Sequence, residues 1–158
     1  MTEKKTPQQA LPLLQQYCSY QERCHREVKD RLAAWGIFGS DADAITGKLI
    51  EENYLNEERF AIQFAGGKFR VKKWGRVKIR YELKARQVGD YCIRRALQEI
   101  DPEQYAAILH QLAEAKWQAT RSDKSILIRQ RKTANYLISK GYEADMVHET
   151  LKQLSKNG

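Results

Sequence analysis

Residues 75–88 read GRVKIRYELKARQV, and the spacing within this stretch decides the fold. Ile79 and Leu83 stand four apart and share one side of a helix. Arg76, Arg80 and Lys84 follow one another at i, i+4 and i+8, forming a cationic stripe beside that apolar edge. Gly75 precedes the helix, and Gln87 with apolar Val88 closes it. The same arrangement recurs on either side. Leu32 is followed by Gly36 and Ile37, Leu83 by Gln87 and Val88, Leu137 by Gly141 and Tyr142. The three leucines are 51 and 54 residues apart. After each stop comes an apolar pair four apart: Ile45 and Leu49, Ile93 and Leu97, Val147 and Leu151. The first copy reaches its pair three residues late, as an insertion at Phe38, Gly39 and Ser40 would require. A period near 50 residues with one three-helix unit per copy marks a helical array whose units complete their cores by stacking. The competing reading is three unrelated helical hairpins that share leucines by chance.

Outward from this stretch the periodicity stays helical, and no segment has a better strand reading. Thr6 and Pro7, with Gln9 three residues after Thr6, predict a capped first helix. Ser19 with Glu22 predicts the start of a second. Ser40 predicts a third, Asn56 a fourth loosened at its far end by Gly66 and Gly67, and Asp90 a sixth. Asp101 and Pro102 predict a seventh helix, Asp123 an eighth, and a ninth runs from Glu143 to Ser155. The expected fold is therefore all-α: three tandem three-helix repeats forming an elongated, curved array. Residues 1–6 are expected as a disordered tail, followed by repeats at 7–53, 54–100 and 101–158, the middle one basic.

The chain has 158 residues with a net charge of +8, from 28 Lys and Arg against 20 Asp and Glu. The excess is concentrated. Lys68, Arg70, Lys72, Lys73, Arg76, Lys78, Arg80, Lys84 and Arg86 are opposed between them only by Glu82. Such a run is a candidate footprint for a polyanion or an acidic protein surface, against the plainer reading of a solvated face. Trp74 lies inside it and fits either stacking on a base or packing in the core; Trp35 and Trp117 read as core. Cys18, Cys24 and Cys92 are odd in number and sparse, which disfavours a disulfide framework and leaves buried inert thiols. His25, His110 and His148 are scattered, so no metal set assembles. The segment Ala65 to Lys68 lacks the spacing of a phosphate-binding P-loop. Paired carboxylates at Glu51–Glu52 and Glu57–Glu58 read as surface or capping charges. No apolar run reaches the roughly 20 residues of a membrane span. The N-terminus carries no secretory pattern, so the cytoplasm is the expected location.

Residues 53–61, NYLNEERFA, resemble the Gly-Tyr-Leu-Asp/Asn-Asp/Glu-x-Arg-Phe-Ala signature of the RecX family, bacterial modulators of the RecA recombinase. Gly75, Ile79, Glu82 and Leu83 resemble its second signature. Lys132, Leu137, Lys140, Gly141 and Tyr142 are similar to its third-repeat pattern, and Ser19 with Glu22 ahead of Leu32 to Gly36 to its opening repeat. The likeness covers roughly residues 8–155. Asn53 and Gln87 stand where the family has glycine; asparagine is the second choice for a left-handed helix end. The paired Gly66 and Gly67 are also atypical.

The resemblance implies a regulator without catalysis or cofactor. It would bind along the RecA filament on DNA and inhibit RecA ATPase, filament extension and strand exchange in DNA repair and the SOS response. The expected contact surface is Lys68, Arg70, Lys72, Lys73, Trp74, Arg76, Arg80, Lys84 and Arg86. The expected partners are the RecA filament and single- or double-stranded DNA, with no membrane, and the chain is expected to be a monomer. A stand-alone DNA- or RNA-binding module is the alternative. An enzyme such as a nuclease finds no acidic metal constellation to support it.

Overall fold

The structure, a computed structural model, describes residues 3–157. Among these residues there are nine α-helices and no strand. They are α1 (Pro7–Tyr20), α2 (His25–Ala34), α3 (Gly39–Glu51), α4 (Glu57–Gly67), α5 (Arg76–Ala85), α6 (Asp90–Gln98), α7 (Pro102–Ala119), α8 (Ile126–Ser139) and α9 (Ala144–Lys156). A π-helical turn, Lys68–Lys72, extends α4. It follows directly on Gly66 and Gly67, where the sequence predicts a loosened helix.

The repeat inferred from leucine spacing is a repeat of backbone geometry. The N–H of Ile37 donates to the Leu32 carbonyl at 2.9 Å, that of Val88 to Leu83 at 3.1 Å, and that of Tyr142 to Leu137 at 3.2 Å. In each case the residue before, Gly36, Gln87 or Gly141, sits in the left-handed region at φ of 79°, 62° and 103°. This is the Schellman helix end, whose six-to-one bond satisfies a carbonyl the helix leaves open. Leu32, Leu83 and Leu137 are fully buried, and Ile37, Val88 and Tyr142 nearly so. Asn53 ends α3 in the same way, at φ 66°, with the Tyr54 N–H on the Leu49 carbonyl at 2.9 Å. Both departures from the family's glycines therefore take the glycine conformation.

Three caps form where expected. Thr6 and Gln9 close a capping box, Asn56 Oδ1 accepts from the Arg59 N–H, and Asp101 from the Gln104 N–H. Four others differ. Ser19 lies inside α1, where its hydroxyl donates to the Gln15 carbonyl at 2.8 Å; a growing helix offers serine that carbonyl and removes its reason to start a new one. Glu22 instead pairs with Arg59, and α2 opens at Cys24, whose N–H donates to Glu27. Ser40 follows Gly39 as the second residue of α3, and Asp90 is the first residue of α6, after Gly89. Asp123 is drawn to Lys132 at 2.9 Å, so Ser125 caps α8.

By packing, the chain forms two compact units. One holds the residues up to Phe64 with Leu83–Ala96. Its core includes Leu14, Val28, Leu32, Trp35, Ile45, Leu49 and Leu55. Arg59 pairs with Glu22 at its edge, and Arg95 with Glu58 at 3.1 Å. The N–H of Lys5 donates to the Trp35 carbonyl, holding the chain from that residue on; Met1 and Thr2 of the expected tail lie outside the described residues. Cys18 and Cys24 are buried here, and desolvation pushes the Cys24 thiol up to about 11. The other unit holds Ala65–Glu82 and the chain from Leu97. In it α7, α8 and α9 pack around Tyr105, Leu109, Trp117, Leu137 and Val147. Arg129 is buried against the Trp117 ring, 3.7 Å from its centroid, and donates twice to the Trp117 carbonyl, which offsets the cost of burying a cation.

Gln87 occupies a conformation that costs a side chain about 1 kcal/mol. Gln87→Gly is expected to stabilise the chain by about 0.5 kcal/mol after the added freedom of the unfolded state, read as a Tm rise of about 1–2 °C in thermal unfolding. Gly141→Ala is expected to act oppositely, losing more than about 2 kcal/mol, because its Cβ would lie 2.3 Å from the Cβ of Lys78.

Candidate functional site

The basic run is shaped by a bend between two helices. The π-helical turn ends at Lys73, which takes the left-handed conformation at φ 59°. The chain then reverses through Trp74 and Gly75 into α5. Gly75 meets Gly141 backbone to backbone. Its N–H donates to the Lys140 carbonyl at 2.8 Å, and the Val77 N–H donates to Gly141 at 2.9 Å. A Cβ on Gly75 would lie 2.3 Å from the Gly141 carbonyl carbon, so only glycine allows the approach. Side chains complete the clasp. The Tyr142 hydroxyl donates to the Lys73 carbonyl at 2.9 Å, and Lys140 Nζ to the Lys72 carbonyl at 2.7 Å.

The consequence is electrostatic. Lys140 comes within the fields of Lys78, Lys72 and Lys73. Desolvation first, then these three charges, hold its ammonium below the usual lysine range. Trp74 lies at the same bend, half-buried. Lys68 Nζ lies 5.1 Å and Lys78 Nζ 4.6 Å from its ring. Trp74 is thus a platform for two ammonium groups rather than a fully buried core residue.

The nine residues singled out from sequence divide between the two units. Lys68, Lys72, Lys73 and Trp74 gather at the bend. Arg70 is exposed, with its guanidinium folded over Gly66, and Arg80 is exposed on α5. Arg76 faces elsewhere: it pairs with Glu143 at 2.8 Å and its guanidinium lies 3.8 Å over the Tyr105 ring. Lys84 and Arg86 belong to the other unit, where Lys84 lies 4.0 Å from Asp90 and Arg86 lies over Phe64. The helical stripe of Arg76, Arg80 and Lys84 is real as a spacing, but its first member is engaged within the protein.

Two cations outside the expected contact surface come to the bend. Lys78 lies off the stripe, and Lys140 is 68 residues from Lys72. The available signal was the pairing of the Gly75 and Lys140–Gly141–Tyr142 patterns, whose spatial meeting no spacing reveals. Beneath the bend, Arg76, Tyr105 and Glu143 form a part-buried network. The Tyr105 hydroxyl donates to Glu143 and accepts the Arg76 N–H. The Phe69 ring stacks on Tyr105 and the Tyr142 ring packs against it at a tilt, with centroids at 5.7 and 5.1 Å. Among the described residues no group of His, Cys, Asp and Glu converges as a metal site, and no helix is long and apolar enough to cross a membrane.

Residues 56–97 match the profile of the second three-helix domain of RecX, and residues 103–151 that of the third, together more than half of the chain. The chain belongs to the RecX family. Among curated relatives, the regulatory protein RecX of Prosthecochloris aestuarii is 28% identical over 141 residues, 89% of this chain and 90% of that protein. That of Clostridium perfringens is 29% identical over 136 residues, 85% of this chain and 63% of the other. That of Bacillus cytotoxicus is 26% identical over 140 residues, and there the chain spans about half, 52%, of the relative's length. A crystal structure of RecX from Lactobacillus salivarius superposes with a TM-score of 0.85 at 23% identity, covering 94% of this chain and 96% of that one. The three-helix repeats are thus the family's fold, and its named members are regulatory proteins.

Burial first, then the bond to Glu143, raises the Tyr105 hydroxyl's pKa far above the ordinary tyrosine value of 10.0. A raised folded-state value gives stability that is whole below pH 10 and declines as pH rises beyond it. Tyr105→Phe is expected to cost about 2 kcal/mol at neutral pH and to flatten the alkaline decline, measured by urea unfolding at pH 7 to 11.

Proposed function

We propose that the chain is a non-enzymatic regulator that binds the RecA–DNA filament through the lysine cluster at the bend, and so limits RecA ATPase, filament extension and strand exchange. Family membership supports a regulatory role. The observation that carries the site is the convergence of Lys72, Lys73, Lys78 and Lys140, with desolvation and mutual repulsion lowering the Lys140 pKa. Like charges held together are relieved by an anion, and a bound phosphate or carboxylate would favour the ammonium form of Lys140 that its neighbours disfavour. Lysine ammoniums act as point charges without the bidentate fork of arginine, which suits phosphates read without regard to base sequence. The lysines on Trp74 occupy the ring that would stack a base, which further favours backbone contact.

The exposed Arg70 and Arg80 extend the positive field, whereas Arg76 holds the bend in shape by its bond to Glu143. A reversal of Arg76 would therefore test folding rather than binding.

Lys72→Gln with Lys73→Gln is expected to weaken inhibition of RecA ATPase on single-stranded DNA by roughly tenfold, with helicity by circular dichroism unchanged. The slope of log affinity against log salt should fall by about 2. Unaltered inhibition in that variant would refute the site. Equal affinity for an oligonucleotide with and without RecA would favour a stand-alone nucleic-acid-binding module.

A further inference from the structure

The outer faces of α8 and α9 form a second feature, separate from the basic bend. Arg129, Thr133 and Leu137 turn the inner side of α8 into the core. Its outer side carries Leu127, Arg131, Ala134 and Ile138, at i, i+4, i+7 and i+11, one continuous helical stripe. Leu127 is 69% exposed and Ile138 43% exposed. Beside this stripe, α9 contributes Leu151 to the floor of a cleft and His148 and Lys152 to its rim. The cleft measures about 510 Å³. A bond of 2.8 Å from the amide of Gln130, which lines the cleft, to the Ser155 hydroxyl ties α8 to α9.

The chemistry of the lining is one-sided. Arg131 and Lys152 are exposed, and neither forms an ion pair among the described residues. The nearby carboxylates of α9, Asp145 and Glu149, do not line the cleft. An apolar floor between cationic rims is complementary to one kind of occupant: a helix with an aliphatic stripe flanked by Asp or Glu. A nucleic-acid strand has no aliphatic stripe to cover Leu127 and Ile138. A second copy of this chain, at +8, would meet the cleft with like charge overall.

We propose that the α8–α9 cleft is a docking site for an acidic amphipathic helix of a partner protein, with Ile138 and Leu151 receiving its apolar stripe and Arg131 and Lys152 pairing with its carboxylates. The site is independent of the lysine cluster, so neither proposal stands or falls with the other.

The probe is a displayed library of random helix-forming peptides, selected against the intact chain. The expected result is enrichment of peptides with Asp or Glu flanking Leu, Ile or Val at three- and four-residue spacing. Their affinity should fall by roughly tenfold or more in the Arg131→Glu, Lys152→Glu variant and in Ile138→Asn, both of which alter exposed side chains. A charge-matched control, Lys124→Glu with Lys156→Glu, should bind as the unaltered chain does. Peptides with Lys in place of their acids should bind the reversed variant better than the original. No enrichment, a basic or featureless consensus, undiminished binding to the reversed variant, or displacement by an oligonucleotide would each overturn the proposal.

Discussion

The backbone contact of Gly75 with Gly141 is the constraint on which the basic site depends. Two glycines without side chains let the start of α5 rest on the turn between α8 and α9, and two backbone hydrogen bonds join segments far apart in sequence. Both the lysine cluster and the tyrosine network of that unit follow from this approach. It sets Lys140 beside Lys72, Lys73 and Lys78, and it brings Arg76 to Glu143 and Tyr105. A Cβ at either glycine would push the two segments apart and dissolve both groupings at once.

Concentrating cations has a cost that the fold meets by local means. The Lys72 carbonyl accepts from Lys140 Nζ, the Arg70 carbonyl accepts from Lys73 Nζ, and the Trp74 ring receives Lys68 and Lys78. Each is an interaction with a partial negative charge, weaker than a full carboxylate. Among the described residues Lys72, Lys73, Lys78 and Lys140 form no ion pair, a condition suited to an anion arriving from outside. By contrast, three arginines of this chain do structural tasks. Arg59 joins Glu22, Arg129 covers Trp117, and Arg76 completes the tyrosine network. A planar guanidinium satisfies several acceptors while stacking on a ring, which an ammonium cannot do.

Much of the architecture is legible in the sequence. The recurrence of Leu32, Leu83 and Leu137 ahead of a left-handed residue and an apolar one encodes three equal helix ends, because hydrogen-bond closure and burial of the next side chain are local requirements. Helix starts are less legible. Ser19 and Asp123 look like caps, yet one is taken by the carbonyl four residues back and the other by a lysine nine residues on. A short polar side chain advertises several partners, and only the surrounding chain selects among them.

The sequence by itself determined the all-α class, the three-helix period, the helix ends at Gly36, Gln87 and Gly141, and the charge of the middle segment, since periodicity and composition act over a few turns of helix. Tertiary structure alone decided which cations are neighbours. It packed Lys84 and Arg86 with the other unit, turned Arg76 inward, and brought Lys140 to Lys72 across 68 residues of chain. The reason is physical: helical spacing places a residue on a face, but what that face meets is set by packing between segments distant in the chain, and electrostatic fields follow distance in space.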